Sequence, residues 1–156
     1  MKTDFLVIGS GIAGLNYALE VSKFGKVIVV TKKNVAESNT NYAQGGIAVA
    51  RDENDVKLHI KDTIKTGCGL SDEKAVEVVV RNGPREINKL LRWGMKFESK
   101  NGKLKFTREG GHSQRRIIFS GDHIGRDMES VLIRKARLNK NIHILESCFA
   151  TKLLVE

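Results

Sequence analysis

The chain has 156 residues, 40% of them hydrophobic and 29% charged, and a formal net charge of +9 at pH 7; that is enough for one domain with its own core, and no apolar run approaches the ~20 residues of a membrane span. Its two cysteines, Cys68 and Cys148, stand far apart with no C-x-x-C, which argues against a disulfide framework or a zinc site and fits a reducing compartment, most simply a bacterial or archaeal cytoplasm. The basic excess would suit nucleic acid, but Lys and Arg are interleaved with Asp and Glu in every segment and aromatics are 6%, so the expectation is no nucleic acid, no membrane, and a field suited to small anions such as a pyrophosphate or a dicarboxylate.

The chain opens on DFLVIGSGIAG. Phe5 to Ile8 form a short apolar run, suited to a strand buried on both faces of a parallel sheet. Gly9, Gly11 and Gly14 follow at G-x-G-x-x-G spacing: one glycine for the tight turn, one for close approach to a pyrophosphate, one for packing helix on sheet. The four-residue run leads into this turn rather than forming a signal peptide. Ile12, Leu15, Ala18, Leu19 and Ser22 share a helical face that Gly25 should end, and Val27 to Val30 make a second strand. Strand, glycine turn, helix and strand together are one βαβ unit, with the helix N-terminus aimed at an anion over the turn. The acid expected at the end of the second strand is missing. Thr31 and Lys32 stand there instead, so the pattern specifies a dinucleotide without saying which.

Residues 32–46 are polar and rich in Asn and Gly, and read as an ordered functional loop. A helix over 55–67 is expected with Asp55 as N-cap and Gly67 or Gly69 at its end. Ser71 or Asp72 should cap a second helix, and Pro84 should open a third whose face is Ile87, Leu90 and Leu91, with Trp93 as a packing anchor. Residues 95–107 read as a hairpin turning at Asn101-Gly102.

Residues 107–128, TREGGHSQRRIIFSGDHIGRDM, interleave Arg108, Glu109, His112, Arg115, Arg116, Asp122, His123 and Arg126 with glycines, as small-molecule pockets do. The four histidines lack ligand spacing, so no metal is expected, and His59 and His143 carry no signal. A last helix spans 126–138, broken by Asn139 and Asn141. Ile142 to Leu145 form a third strand, Cys148 to Ala150 a bend, and Lys152 to Val155 the start of a fourth strand that would leave a sheet edge. The fold class is α/β: a Rossmann-like domain with a central parallel sheet and a small added hairpin and helices.

The glycine turn, ESNTNYAQGGIAVA and TREGGHSQRRIIFSGDHIGR together resemble the L-aspartate oxidase family, within the fumarate reductase and succinate dehydrogenase flavoprotein superfamily. The resemblance runs over essentially all of residues 1–156. It implies that this is the N-terminal portion of an FAD-binding domain, without the capping domain and C-terminal region, and so with little or no oxidase activity alone. It implies FAD, held without a covalent bond, on Gly9, Ser10, Gly11, Ile12, Ala13 and Gly14, on Thr31 and Lys32, on Asn39, Thr40, Asn41, Tyr42, Ala43, Gln44, Gly45 and Gly46, and on Phe149 and Ala150 beside the adenine. Asn39 stands where membrane-bound relatives carry the histidine bonded to flavin. Glu109 matches the position that would pair with a substrate α-ammonium, favouring an amino acid over a plain dicarboxylate. No catalytic residue falls in this portion. The implied reaction oxidises L-aspartate to iminoaspartate, with oxygen or fumarate as electron acceptor and a functional link to quinolinate synthase and NAD formation. Other readings are another flavoprotein of the superfamily, or a non-catalytic nucleotide-binding module.

Overall fold

The computed structural model describes residues 2–155. In chain order the elements are β1 (Phe5–Ile8), α1 (Ile12–Val21), β2 (Val27–Val30), β3 (Ile47–Ala48), α2 (Glu53–Thr66), α3 (Glu73–Arg92), β4 (Ser99–Lys100), β5 (Lys103–Leu104), β6 (Ile117–Ile118), α4 (Ile124–Leu138) and β7 (Ile142–Leu145). They fall into two compact units, Met1–Gln44 with Gly125–Glu156, and Gly45–Ile124.

The first unit is built on a parallel sheet of order β1-β2-β7. β2 is the strand buried on both faces: Val27, Ile28 and Val29 are all shielded. That role was expected of β1, which pairs only with β2 among the described residues and leaves Leu6 53% and Ile8 52% exposed. With one strand neighbour among the described residues, β1 buries Val7 alone. α1 buries Leu15, Ala18 and Leu19, while Ile12 stays outside. It ends at Val21 with Ser22 as cap, not at Gly25. Gly25 serves close approach instead: a Cβ there would meet Asp4 Oδ2 at 2.6 Å, the oxygen that accepts from Lys26 N–H at 2.7 Å. Asn139 and Asn141 end α4 and donate to Ser22 Oγ and Ser22 O, at 2.8 and 2.9 Å. The strand expected from Lys152 does not form. Residues 151–155 have no regular structure and lie exposed, because they have no ladder partner among the described residues.

In the second unit, β3 pairs antiparallel with β6, and β4 with β5 around Asn101-Gly102, both at positive φ. α2 starts two residues earlier than expected. Its N-cap is Asp52, whose carboxylate accepts from Asp55 N–H at 2.8 Å. Asp55 is inside the first turn and turned into the protein. The two helices expected on either side of Pro84 are one, α3, capped by Asp72, with Pro84 in its interior. Pro at this place removes one helical hydrogen bond and costs roughly 3 kcal/mol. The apolar face nevertheless stays in phase across it, with Val76, Val80 and Ile87 at helical spacing and Val80 and Ile87 buried. Val80 packs with Ala50 and Val56, under Ile60 and Val76.

Candidate functional site

At the carboxyl ends of the three parallel strands, four segments of chain gather and enclose a cavity of about 420 Å³. This is where open α/β sheets bind ligands. After β1 comes the glycine turn. Gly9 has φ +107°, and its N–H donates to Val30 O at 2.8 Å, fastening the turn to the end of β2. Gly11 is the N-cap of α1 and supplies no capping side chain of its own. Gly14 is required for packing: a Cβ there would stand 2.1 Å from Gly9 O.

After β2 come Thr31 and Lys32. Thr31 is buried and its Oγ1 accepts from Ser10 Oγ at 3.0 Å, so its hydroxyl braces the glycine turn. Its own N–H donates to Leu145 O, and its carbonyl accepts from Cys148 N–H, both at 2.9 Å. These bonds draw the segment after β7 to the same end of the sheet, where Phe149 and Ala150 line the cavity. Lys32 is exposed at its rim.

The fourth wall is the loop after Lys33. Successive backbone bonds, Asn41 N–H to Ser38 O, Tyr42 N–H to Asn39 O and Ala43 N–H to Thr40 O, order it. Thr40 Oγ1 accepts from Ile12 N–H at 3.0 Å, tying the loop to the first residue of α1.

The structure therefore brings Gly9, Ser10, Gly11, Thr31, Lys32, Asn39, Thr40, Phe149 and Ala150 around one cavity. Ile12, Ala13, Gly14, Asn41, Tyr42, Ala43, Gln44, Gly45 and Gly46 are not among its lining residues. Gly46 has a packing role in the second unit, where a Cβ would meet Ile117 Cγ2 at 2.3 Å. Sequence reasoning missed Ser38 and Glu37 in the wall and Glu129 behind it. Glu129 could have been found. With Gly125, Leu132 and Ala136 it lies on the buried stripe of α4, where an acid is out of place.

The cradle suits a dinucleotide diphosphate. It offers a helix end whose Gly11 cap has no side chain and whose Ile12 N–H is held by Thr40, a turn with glycine on either side of Ser10, and a cavity lined by the glycine turn at one place and by Phe149 and Ala150 at another.

The polar segment 107–128 forms a different kind of site, in the second unit. Arg116 is fully buried. Its Nε and Nη2 donate to Asp55 Oδ1 at 3.0 and 2.7 Å, and its Nη1 donates to Asp62 Oδ2 at 2.6 Å. Nη1 also meets His112 Nδ1 at 3.1 Å. A guanidinium only donates, so Nδ1 accepts and the proton of His112 sits on Nε2. Asp62 also takes the Ser113 N–H and hydroxyl, at 2.8 and 2.7 Å. Burial would push both carboxyls up, but the bonds to Arg116 win: Asp55 is lowered, and Asp62 is lowered to about 2. The Arg116 guanidinium, for which burial alone is adverse, is raised by its two carboxylates. His59, expected to carry no signal, is buried with an unpartnered Nδ1, edge-on to His112 at 5.6 Å. Burial, then Arg116 and His112, hold its pKa down.

This network pins the turn Glu109–His112, closed by His112 N–H on Glu109 O at 3.3 Å, with Gly111 at φ +82°. Glu109 projects from it exposed. Beside the turn lie two cavities. One of about 710 Å³ is lined by Arg51, Arg108 and Arg115 with Thr107, Ser113 and Gln114, and one of about 360 Å³ by Gly110, Gly111 and His112 against α2.

Residues 4–156 match the family model described as FAD binding domain. The chain belongs to this family. Its cofactor is accordingly FAD. The chain is 47% identical over 153 residues to the chloroplastic L-aspartate oxidase of Oryza sativa, covering 97% of this chain and 24% of the relative. It is 42% identical over 158 residues to the L-aspartate oxidase of Yersinia pestis, covering 97% of this chain and 30% of the relative. Among solved structures, a quinol-fumarate reductase with menaquinol molecules superposes over all of this chain and 28% of its own, with TM-score 0.92 and 26% identity. The chain thus spans 24–30% of the length of these relatives. No helix among the described residues is long and apolar enough to cross a membrane.

Proposed function

We propose that the protein to which this chain contributes is an FAD-dependent L-aspartate oxidase, forming iminoaspartate as the first step toward quinolinate and NAD, and that residues 1–156 carry its diphosphate-binding part. The observation that supports the reading is the convergence of four separate segments on one cavity at the strand ends, in a chain whose relatives are named L-aspartate oxidase. In this reading the backbone at Gly9, Ser10, Gly11, Ile12, Ala13 and Gly14 takes the diphosphate, and Thr31 and Lys32 flank the adenosine with Phe149 and Ala150. The loop from Asn39 to Gly46 leads toward the flavin. FAD when bound supplies the two-electron chemistry; these residues bind it and orient it. Asn39 has no nucleophilic nitrogen with which to attach flavin, so the cofactor dissociates.

Glu109 is assigned to the substrate. An exposed carboxylate on a turn held by Arg116 and Asp62 attracts the α-ammonium of aspartate and repels succinate. Oxygen or fumarate takes the electrons, quinolinate synthase uses the product, and the compartment is the cytoplasm.

The test uses the full-length protein with aspartate and succinate as competing substrates. Aspartate-dependent release of peroxide, with succinate inert, is expected. Glu109→Gln should raise KM for aspartate far more than it lowers kcat. Oxidation of succinate in preference to aspartate would overturn the assignment and favour a succinate- or fumarate-type flavoprotein. The 156-residue chain alone is expected to show little or no turnover.

A further inference from the structure

The cofactor loop has a second attachment, on α4. The Ser38 hydroxyl donates to Glu129 Oε1, and Ser38 Oγ accepts from Thr40 N–H at 3.1 Å. Thr40 in turn accepts from Ile12 N–H at the first residue of α1. One helical turn before Glu129, the Gly125 N–H donates to Ala43 O at 3.2 Å, and a Cβ on Gly125 would lie 1.9 Å from Thr40 O. α4 therefore holds the loop at two points, and a relay of Glu129, Ser38, Thr40 and Ile12 connects its interior to the diphosphate end of the cavity.

Glu129 is 1% exposed, and its second oxygen, Oε2, has no hydrogen-bond partner. An ionised carboxylate there is solvated by a single hydroxyl, which is costly. The charges bearing on it make this worse. Glu37 lies across the loop with the same sign, and Tyr42 is bonded to Glu37 through both carboxylate oxygens at 3.0 Å. Lys33 reaches Glu37 at 3.8 Å from the solvent side. Burial first, then Glu37, push the Glu129 carboxyl up, against the opposing bond from Ser38.

We propose that Glu129 is a positioning residue for FAD: as the uncharged acid it anchors Ser38 and so sets Thr40 and Asn39 in the wall that receives the diphosphate. An ionised Glu129 would hold the same loop with a negative charge behind the place where an anion must enter. FAD affinity is then linked to a proton, and binding tightens as pH falls through the titration of Glu129. The consequence rests on the FAD reading of the cavity, while the anchor itself can be tested without cofactor.

The experiment measures FAD binding to the full-length protein by quenching of flavin fluorescence from pH 5.5 to 8.5, for the wild type, Glu129→Gln, Glu129→Ala and Ser38→Ala. The wild type should weaken on the order of tenfold across the range, which is what a bound anion produces when it makes the carboxyl about tenfold harder to ionise. Glu129→Gln keeps a carbonyl for Ser38 and has no proton to lose. It should match the wild type at low pH and show a flat profile. Glu129→Ala and Ser38→Ala should bind more weakly at every pH, with unchanged far-ultraviolet circular dichroism.

In parallel, the ¹⁵N–¹H resonances of Thr40 and Ile12 are followed against pH in the cofactor-free full-length protein. They should titrate together in the wild type and stay fixed in Glu129→Gln. A Gln variant that retains the wild-type pH profile, or wild-type amides that do not titrate, would overturn the proposal. Absent FAD binding with the amide titration intact would count against the cofactor reading and leave the anchor established.

Discussion

Arg116 in one unit and Glu129 in the other are both almost completely buried, and the two are treated in opposite ways. Arg116, 0% exposed, is met by Asp55 on two nitrogens and by Asp62 and His112 on the third. Glu129, 1% exposed, is met by one serine hydroxyl. The first group is compensated, so Arg116 and its two carboxylates are held in their charged forms, and the network works as a rigid clamp on the turn that carries Glu109. The second is uncompensated, so the neutral form is favoured and the group can respond to pH and to an arriving anion. Burial alone does not separate a clamp from a sensor; the number and sign of the partners do.

Removing the cation from the clamp puts this contrast to its most severe trial. Arg116→Met leaves Asp55 with Arg51 as its one cation and Asp62 with the Ser113 N–H and hydroxyl, and should cost about 3–5 kcal/mol in urea unfolding. Adding Asp55→Asn and Asp62→Asn to the same chain should restore much of that loss, since the penalty is that of stranded carboxylates. If the triple variant is no better than the single one, the network is holding shape by packing and not by charge.

Next comes the grip of α4 on the cofactor loop. Gly125→Ala forces a methyl against Thr40 O and should cost about 1–3 kcal/mol by thermal melting. It should also weaken FAD binding while α4 keeps its helical signal. An unchanged FAD affinity would mean that the loop has other support.

The clamp also predicts acid sensitivity. The Asp62 carboxyl is lowered to about 2, so its contribution is fully present above the unfolded value and is lost as pH falls through the folded one. On the order of 2 kcal/mol should disappear between roughly pH 4 and pH 2. Asp62→Asn should flatten the stability profile in that window. Glu129 has the opposite sign: with its folded pKa raised, its contribution is full below the unfolded value and is lost as pH rises through the folded one.

The smallest effect is that of His59. Its pKa is held down, so stability is full above about pH 6.5 and declines as pH falls below it. His59→Leu removes an unpartnered buried nitrogen. It should change stability by less than about 1 kcal/mol at pH 8 and erase the slope between pH 7 and 5. A large loss at pH 8 would show that the imidazole is held by more than the contact with His112.

Local chemistry made much of this legible in advance. Val27 to Val30 could hardly be anything but a buried strand, and the spacing of Gly9, Gly11 and Gly14 requires a turn, a helix cap without a side chain and a tight helix–strand contact in that order. Asn101-Gly102 set the hairpin because both residues accept positive φ. Misjudgments came where two local signals were equal and a distant partner chose. Asp52 and Asp55 are both good caps, and only Arg116, 61 residues away in sequence, shows why Asp55 turns inward. Pro84 carries the signature of a helix start, yet the apolar stripe from Val76 to Ile87 outweighs its cost.

The βαβ core, the carboxyl-end cradle and the class of ligand were written in the order of the residues, because these follow from backbone rules that act over a few positions. Which strand lies at the centre, which acids are charged, and that Glu129 stands behind the cofactor loop emerged with the folded molecule and not before. Those outcomes depend on which groups are left together away from water, and burial is a property of the assembled chain and not of any short stretch of it.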